Sequence, residues 1–159
     1  MNGVDFRNAL GRFATGVCLI SVADARSGAL ALTANSFSSV SLEPPLVLWS
    51  IQNGSECFRE YTECTSFGIS VLCADQQELS NHYAGKANHA VREDDFEMNS
   101  AGVPLLKRAA ASFSCTVWAL HEAGDHHIIV GQVVEHRVSN EAPLVFQGGA
   151  YRQLALAAD

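Results

Sequence analysis

The chain has 159 residues, of which 48% are hydrophobic and 17% charged, and its 10 Lys and Arg face 17 Asp and Glu for a net charge of −7. This length fits one domain, residues 1–159, and so high an apolar content excludes disorder as the dominant state. An acidic chain with no basic block is a poor binder of nucleic acid and of anionic membranes, so neither is expected as a partner.

Residues 5–15 are expected to form a short amphipathic helix capped by Asp5, because Phe6, Leu10 and Phe13 recur at spacings of four and three. Charged residues interrupt this start (Asp5, Arg7, Arg12), so no secretion signal is expected. No apolar run reaches the length of a membrane span. The period changes after Gly16: Val17 to Ala23 is a β-rich run, closed by the turn Asp24-Ala25-Arg26-Ser27-Gly28. Leu30 to Phe37 is again extended, and Leu46 to Ile51 forms an apolar strand after Pro44-Pro45. Ser55 is placed to cap a helix over 56–64, and Phe67 to Cys73 is a further strand.

Asp75-Gln76-Gln77-Glu78 has the form of a capping box opening a helix through Tyr83. Residues 85–104 are polar and irregular. Two long β stretches, 112–121 and 126–138, are joined by Glu122-Ala123-Gly124-Asp125, and a last hairpin over 144–154 turns at Gly148-Gly149. Strands outnumber the short helices. The fold class expected is therefore mainly β, a closed or nearly closed antiparallel barrel with a few short accessory helices.

The cysteines (Cys18, Cys57, Cys64, Cys73, Cys115) are odd in number, dispersed and never spaced C-x-x-C. They are expected to be free thiols, mostly buried, in a reducing cytoplasm. His121, His126, His127 and His136 have no carboxylate or Cys beside them at ligand spacing, so no metal is expected. The sequence also has no G-x-G-x-x-G after a strand, no phosphate-binding G-x-x-x-x-G-K-[ST] and no G-x-S-x-G.

Thr33 to Ser41 is unusual: six of its nine side chains are small hydroxyls or an amide, between two apolar strands. It is either a polar edge strand or a wall that a ligand can approach closely. Ser50-Ile51-Gln52-Asn53-Gly54-Ser55 is a second donor-rich segment, either a capped helix start or an anion site.

Ordered along the chain, Phe6-Arg7-x-Ala9-Leu10-x-Arg12-Phe13-Ala14-Thr15-Gly16-Val17, Thr33-Ala34-Asn35-Ser36-Phe37-x-Ser39-Val40-Ser41-Leu42-x-Pro44-Pro45, Gln77-Glu78-Leu79-Ser80 and Gly124-Asp125-His126-x-Ile128-x-Val130-Gly131 resemble the short-chain flavin reductases of the FMN-binding split-barrel fold. Many members carry Gly-Met where this chain has Ala31-Leu32. The resemblance implies a Greek-key split barrel, a homodimer, and NAD(P)H-dependent reduction of FMN or FAD for a partner monooxygenase. A flavin-binding electron carrier without nicotinamide turnover is the alternative.

By the same resemblance the flavin ring lies against Thr33, Ala34, Asn35 and Ser36, with Ser39 nearby, and its phosphate end near Ser50, Ile51, Gln52, Asn53 and Ser55. Tyr83, Ala84 and Lys86 would also touch the flavin. His126 would contact the nicotinamide, as the catalytic candidate, while Tyr151 and Arg152 would close over NADH or NADPH. No arginine cluster for a 2′-phosphate is apparent, which favours NADH.

Overall fold

The computed structural model describes residues 2–87 and 89–155; the remaining residues of the expected domain lie outside these. The first half of the chain runs α1 (Gly3–Leu10), β1 (Thr15–Gly16), β2 (Cys18–Asp24), β3 (Gly28–Ala34), β4 (Ser38–Leu42), β5 (Pro45–Gln52), α2 (Phe58–Glu63) and β6 (Ser66–Val71). The second half adds α3 (Gln77–Ala84), β7 (Phe96–Met98), β8 (Pro104–Leu106), β9 (Ala111–Ala123), β10 (His126–Val138), β11 (Val145–Gln147) and β12 (Ala150–Arg152).

Seven strands make one antiparallel sheet in the order β3-β2-β6-β9-β10-β5-β4. Its two edge strands, β3 and β4, are consecutive in the chain and separated only by Asn35 to Phe37. Laid flat, seven strands would hold these edges about 29 Å apart. The linking residues reach at most about 14 Å. The sheet must therefore curl until its edges nearly meet, which makes a barrel split at residues 35–37. Two smaller sheets, β1-β11-β12 and β7-β8, flank it.

Alternate residues explain why β2 is apolar throughout. Cys18, Ile20 and Val22 face the barrel interior with Val47, Trp49, Phe67, Ile69, Cys115 and Ile129. Val17 and Leu19 instead join a second core with Leu72, Tyr83, Phe96, Leu106 and Leu144. Burial on both faces removes the polar alternation that a half-exposed strand would show. The outer core is tied down by two buried serines: Ser21 Oγ donates to the Pro104 carbonyl, and Ser70 Oγ accepts from Leu106 N–H at 3.1 Å.

Several local expectations are corrected. The first helix starts and ends earlier, and Asn2 caps it, its Oδ1 accepting from Val4 N–H. Phe6, Leu10 and Phe13 are 51%, 60% and 79% exposed, so among the described residues that stripe is not buried against the core. Ser55 does not cap α2; Cys57 holds the cap position, and Ser55 Oγ accepts from Cys57 N–H in the preceding turn. The capping box is absent as well. Gln76 occupies the cap of α3, while the Asp75 carboxylate pairs with the Arg108 guanidinium at 3.0 Å. Within 85–104, the β7–β8 hairpin replaces the expected irregular run. All five cysteines are free, and only Cys64 is less than buried.

Candidate active site

Two segments that looked separate in sequence meet at the split. Ser36, in the link between β3 and β4, accepts the Ser50 N–H on its Oγ at 2.9 Å. This joins the end of β3 to β5 across the barrel mouth. A cleft of about 410 Å³ opens there, walled by the end of β3, the end of β5 with its following turn, and the C-terminal end of α3.

The cleft brings together Thr33, Ala34, Asn35, Ser36, Ser50, Ile51, Gln52, Ser55, Tyr83, Ala84, Lys86 and His126. Gly54, within the donor-rich segment, lines it too, and sequence reasoning missed Leu32, Glu56, Gly85 and His89, which also line it. His89 had no local signal. It arrives because Ala31 N–H donates to its carbonyl at 2.7 Å, docking the segment after α3 on the free edge of β3. Glu56 then accepts the Ala87 N–H at 2.8 Å and lies 3.3 Å from His89 Nε2. That backbone hydrogen bond, more than the nearby His89, holds the Glu56 carboxyl below its ordinary range.

Four expected contacts lie outside this cleft. Ser39 is exposed on β4 opposite Val47. Asn53 braces the β9–β10 turn, its amide donating to the Gly124 carbonyl and its Oδ1 lying 2.7 Å from His127 Nδ1. The Tyr151 hydroxyl is 2.9 Å from Ser80 Oγ and donates to Asn81 Oδ1. Arg152 lines a second cleft.

Polar groups in the first cleft divide into used and free. Thr33 Oγ1 donates to the Ser80 carbonyl at 2.7 Å, and Ser36 is committed to Ser50. The side-chain amides of Asn35 and Gln52 and the Lys86 ammonium have no hydrogen-bond partner among the described residues. His126 sits at the first residue of β10, with Nδ1 2.7 Å from Asp125 Oδ1. An ionised carboxylate can only accept, so Nδ1 carries the proton; in the neutral ring Nε2 then keeps its lone pair. The hydrogen bond from His126 lowers the Asp125 carboxyl below its ordinary range.

The second cleft, of about 740 Å³, adjoins the first at Asn35. It is lined by Arg7, Arg12 and Arg152, so an arginine cluster exists after all. The three were hidden because they lie at opposite ends of the sequence and are joined only by the fold. Gly148 N–H, in the β11–β12 turn, donates to the Gly11 carbonyl at 2.8 Å, and Thr15 pairs with Phe146.

The profile of the flavin reductase like domain family matches residues 10–155. The chain belongs to that family. The family spans the barrel and the residues of both clefts except Arg7 and Asn8. This flavin reductase is similar to the FMN reductase (NADH) SmoA of Agrobacterium fabrum, 45% identical over 94% of this chain and 85% of that protein. It also resembles the solved Streptomyces globisporus C-1027 NADH:FAD oxidoreductase SgcE6 in complex with NAD and FAD fragments. There the TM-score is 0.93 and identity 33%, with 99% of this chain and 96% of that one covered. A third relative is the reductase component of the flavin-dependent trigonelline monooxygenase of Acinetobacter baylyi, 33% identical over 92% of this chain but only 47% of that protein.

Proposed function

We propose that this flavin reductase transfers hydride from NADH to FMN or FAD seated in the cleft at the barrel split, and hands the reduced flavin to a partner monooxygenase. The observation that carries the site is the set of free polar groups there: two amides and an ammonium without partners among the described residues, beside the small side chains of Thr33, Ala34, Ser36 and Ser50. This donor set fits a flavin nucleotide. The amides can donate to the carbonyls of a flat ring, and the Lys86 cation can pair with a phosphate. When bound, the flavin supplies the ring whose N5 accepts hydride from nicotinamide C4, chemistry that the cofactors carry themselves.

The protein's part is to position and to exclude water. Asn35 and Gln52 would orient the ring from the β3 and β5 ends, and Lys86 would hold the phosphate. Leu32, Ile51 and Tyr83 supply apolar wall. His126, with Nδ1–H held by Asp125, presents Nε2 as an acceptor for a donor such as the nicotinamide carboxamide. Hydride transfer requires no acid–base dyad.

A homodimer belongs to the same proposal. Trp118 and Leu120 on β9 are 56% and 41% exposed, and Val40 and Leu42 on β4 are 49% and 95% exposed, Trp118 and Val40 each standing where the ladder shifts register. Exposed apolar rows of this kind are characteristic of a subunit contact. A reducing, cytoplasmic setting fits five free thiols. No helix among the described residues is long and apolar enough to cross a membrane.

The test is NADH oxidation by the purified protein with FMN, FAD or riboflavin, followed by the loss of nicotinamide absorbance. Turnover is expected. A protein that binds flavin but leaves NADH and NADPH untouched would instead be an electron carrier. Light scattering should report twice the chain mass.

A further inference from the structure

Glu56 puts a carboxylate in the lining of the flavin cleft, close to the phosphate end. A negative charge there repels a phosphate, so it needs another reason to be present. Its hydrogen bonds supply one. Glu56 stands on a fixed turn, in which Ser55 N–H donates to the Gln52 carbonyl at 2.9 Å and the Ser55 carbonyl accepts from Phe58 N–H at 3.1 Å. From there its Oε2 reaches the segment after α3, accepting Ala87 N–H at 2.8 Å and lying 3.3 Å from His89 Nε2. His89 Nδ1 in turn lies 3.2 Å from the Ala31 carbonyl oxygen on β3. One carboxylate therefore ties all three walls of the cleft together.

The backbone at the far end of this tie is strained. Among the described residues, Ala87 is the only one other than glycine with a positive φ, at 62°. That left-handed conformation crowds the Cβ against the following carbonyl and persists only where the surroundings enforce it. Alanine has neither the conformational freedom of Gly nor the local side-chain hydrogen bond of Asn to favour it. The bond from its own N–H to Glu56 is the enforcement that the structure shows. Lys86 precedes Ala87 and follows Gly85, whose N–H donates to the His82 carbonyl at the end of α3 at 3.3 Å. The Lys86 side chain is exposed and has no hydrogen-bond partner among the described residues, so the direction it takes is set by the backbone that carries it.

We infer that Glu56 is a positioning residue for the flavin phosphate: it holds Ala87 in the left-handed conformation and thereby aims the Lys86 ammonium into the cleft. Preference for a phosphorylated flavin then depends on a carboxylate that does not touch the flavin. This rests on the reading of the cleft as the flavin site and of Lys86 as the partner of the phosphate.

The experiment uses the whole chain and its Glu56→Ala, Glu56→Gln and Lys86→Gln variants, together with Glu56→Ala/Lys86→Gln. Glu63→Gln, on α2 and outside the cleft, is the charge control. All three residues are exposed, so folding is not at risk. Kd is measured by flavin fluorescence for FMN and for riboflavin, which share the ring and the ribityl hydroxyls and differ only in the phosphate. The ratio of riboflavin Kd to FMN Kd isolates the phosphate contact, and a merely structural role would move both values together.

Lys86→Gln should lower that ratio about tenfold, the effect of one charge-assisted hydrogen bond. Glu56→Ala should lower it in the same direction by about fivefold, with riboflavin affinity moving less than about twofold. In Glu56→Gln the amide oxygen still accepts the Ala87 N–H, so the ratio should stay within about threefold of wild type. The double variant should match Lys86→Gln, because the two residues act in series. Glu63→Gln should leave the ratio unchanged. A normal ratio in Glu56→Ala, an equal loss of riboflavin, a further fall in the double variant, or a Glu56→Gln as impaired as Glu56→Ala overturns the inference while the flavin site stands. An unchanged ratio in Lys86→Gln removes the phosphate reading of Lys86, and the inference with it. The expected ratios without NADH oxidation on any flavin would remove the reductase reading and leave the role of Glu56 standing.

Discussion

Ser36 and Ser50, 14 residues apart, are clasped at the barrel split: the Ser50 N–H donates to Ser36 Oγ at 2.9 Å, and Ser36 Oγ lies 3.3 Å from the Ser50 carbonyl. Ser36→Ala would leave a half-buried backbone N–H without an acceptor, which costs about 1–2 kcal/mol. Urea denaturation should show that loss. Because the clasp also sets the spacing of two cleft walls, the flavin KM should rise several-fold in the same variant. Unchanged flavin affinity in a destabilised Ser36→Ala would mean that the clasp serves the barrel alone.

His126 should separate the nicotinamide side from the flavin side. His126→Ala removes the Nε2 acceptor and is expected to raise the KM for NADH about tenfold, the effect of one hydrogen bond. FMN affinity, read by flavin fluorescence, should move less than about twofold. Asp125→Asn keeps a hydrogen-bond partner for the ring but loses the charge that fixes its tautomer, so its effect on NADH should be smaller in the same direction. An equal loss of FMN affinity in His126→Ala would assign the residue to the flavin instead.

The legible parts of this fold were those whose cause is local. Period-two burial on β5 leaves Val47, Trp49 and Ile51 inside, and the apolar run of β2 follows from burial on both faces. Gly148 and Gly149 take positive φ at 61° and 78°, as the last hairpin turn requires. The polar wall Thr33–Ser36 stood out because hydroxyls between apolar strands need a reason. What stayed hidden depends on partners distant in sequence. Asp75 had the spacing of a cap, but an arginine 33 residues away competes for its carboxylate. His89 reaches the cleft through the edge of β3, and Arg7 and Arg152 line one cleft only because the β11–β12 turn docks on the end of α1. Periodicity carries no information about such meetings.

Gly131 lies where β10 crosses the barrel interior, at a register shift against β9. A Cβ there would stand 2.5 Å from Phe67 Cζ and 3.0 Å from Cys115 Cβ, and both neighbours are fully buried. Close-packed interiors give little, so Gly131→Ala should destabilise the protein by about 1–3 kcal/mol. Thermal melting of Gly131→Ala beside Gly16→Ala, where nothing lies within 4 Å of the added atom, checks it. Equal melting temperatures would show that the Phe67 ring has room to move.

Buried thiols set the alkaline limit of stability. Burial pushes Cys18 and Cys115 from an ordinary 9.0 up to about 12, and it raises the Tyr61 hydroxyl well above its ordinary value. The folded state therefore keeps protons that the unfolded chain releases first. Stability is full below about pH 9 and falls as the pH climbs from the unfolded thiol value toward the folded one, by about 1.4 kcal/mol per pH unit for each fully buried thiol. Urea midpoints at pH about 7, 9 and 10 should be nearly level over the first interval and fall over the second. In Cys18→Ala/Cys115→Ala the baseline drops from lost packing, yet the alkaline decline flattens. A decline of unchanged steepness in that double variant would place the alkaline sensitivity on other groups, with Cys57 and Cys64, which burial pushes up to about 11, the first to examine.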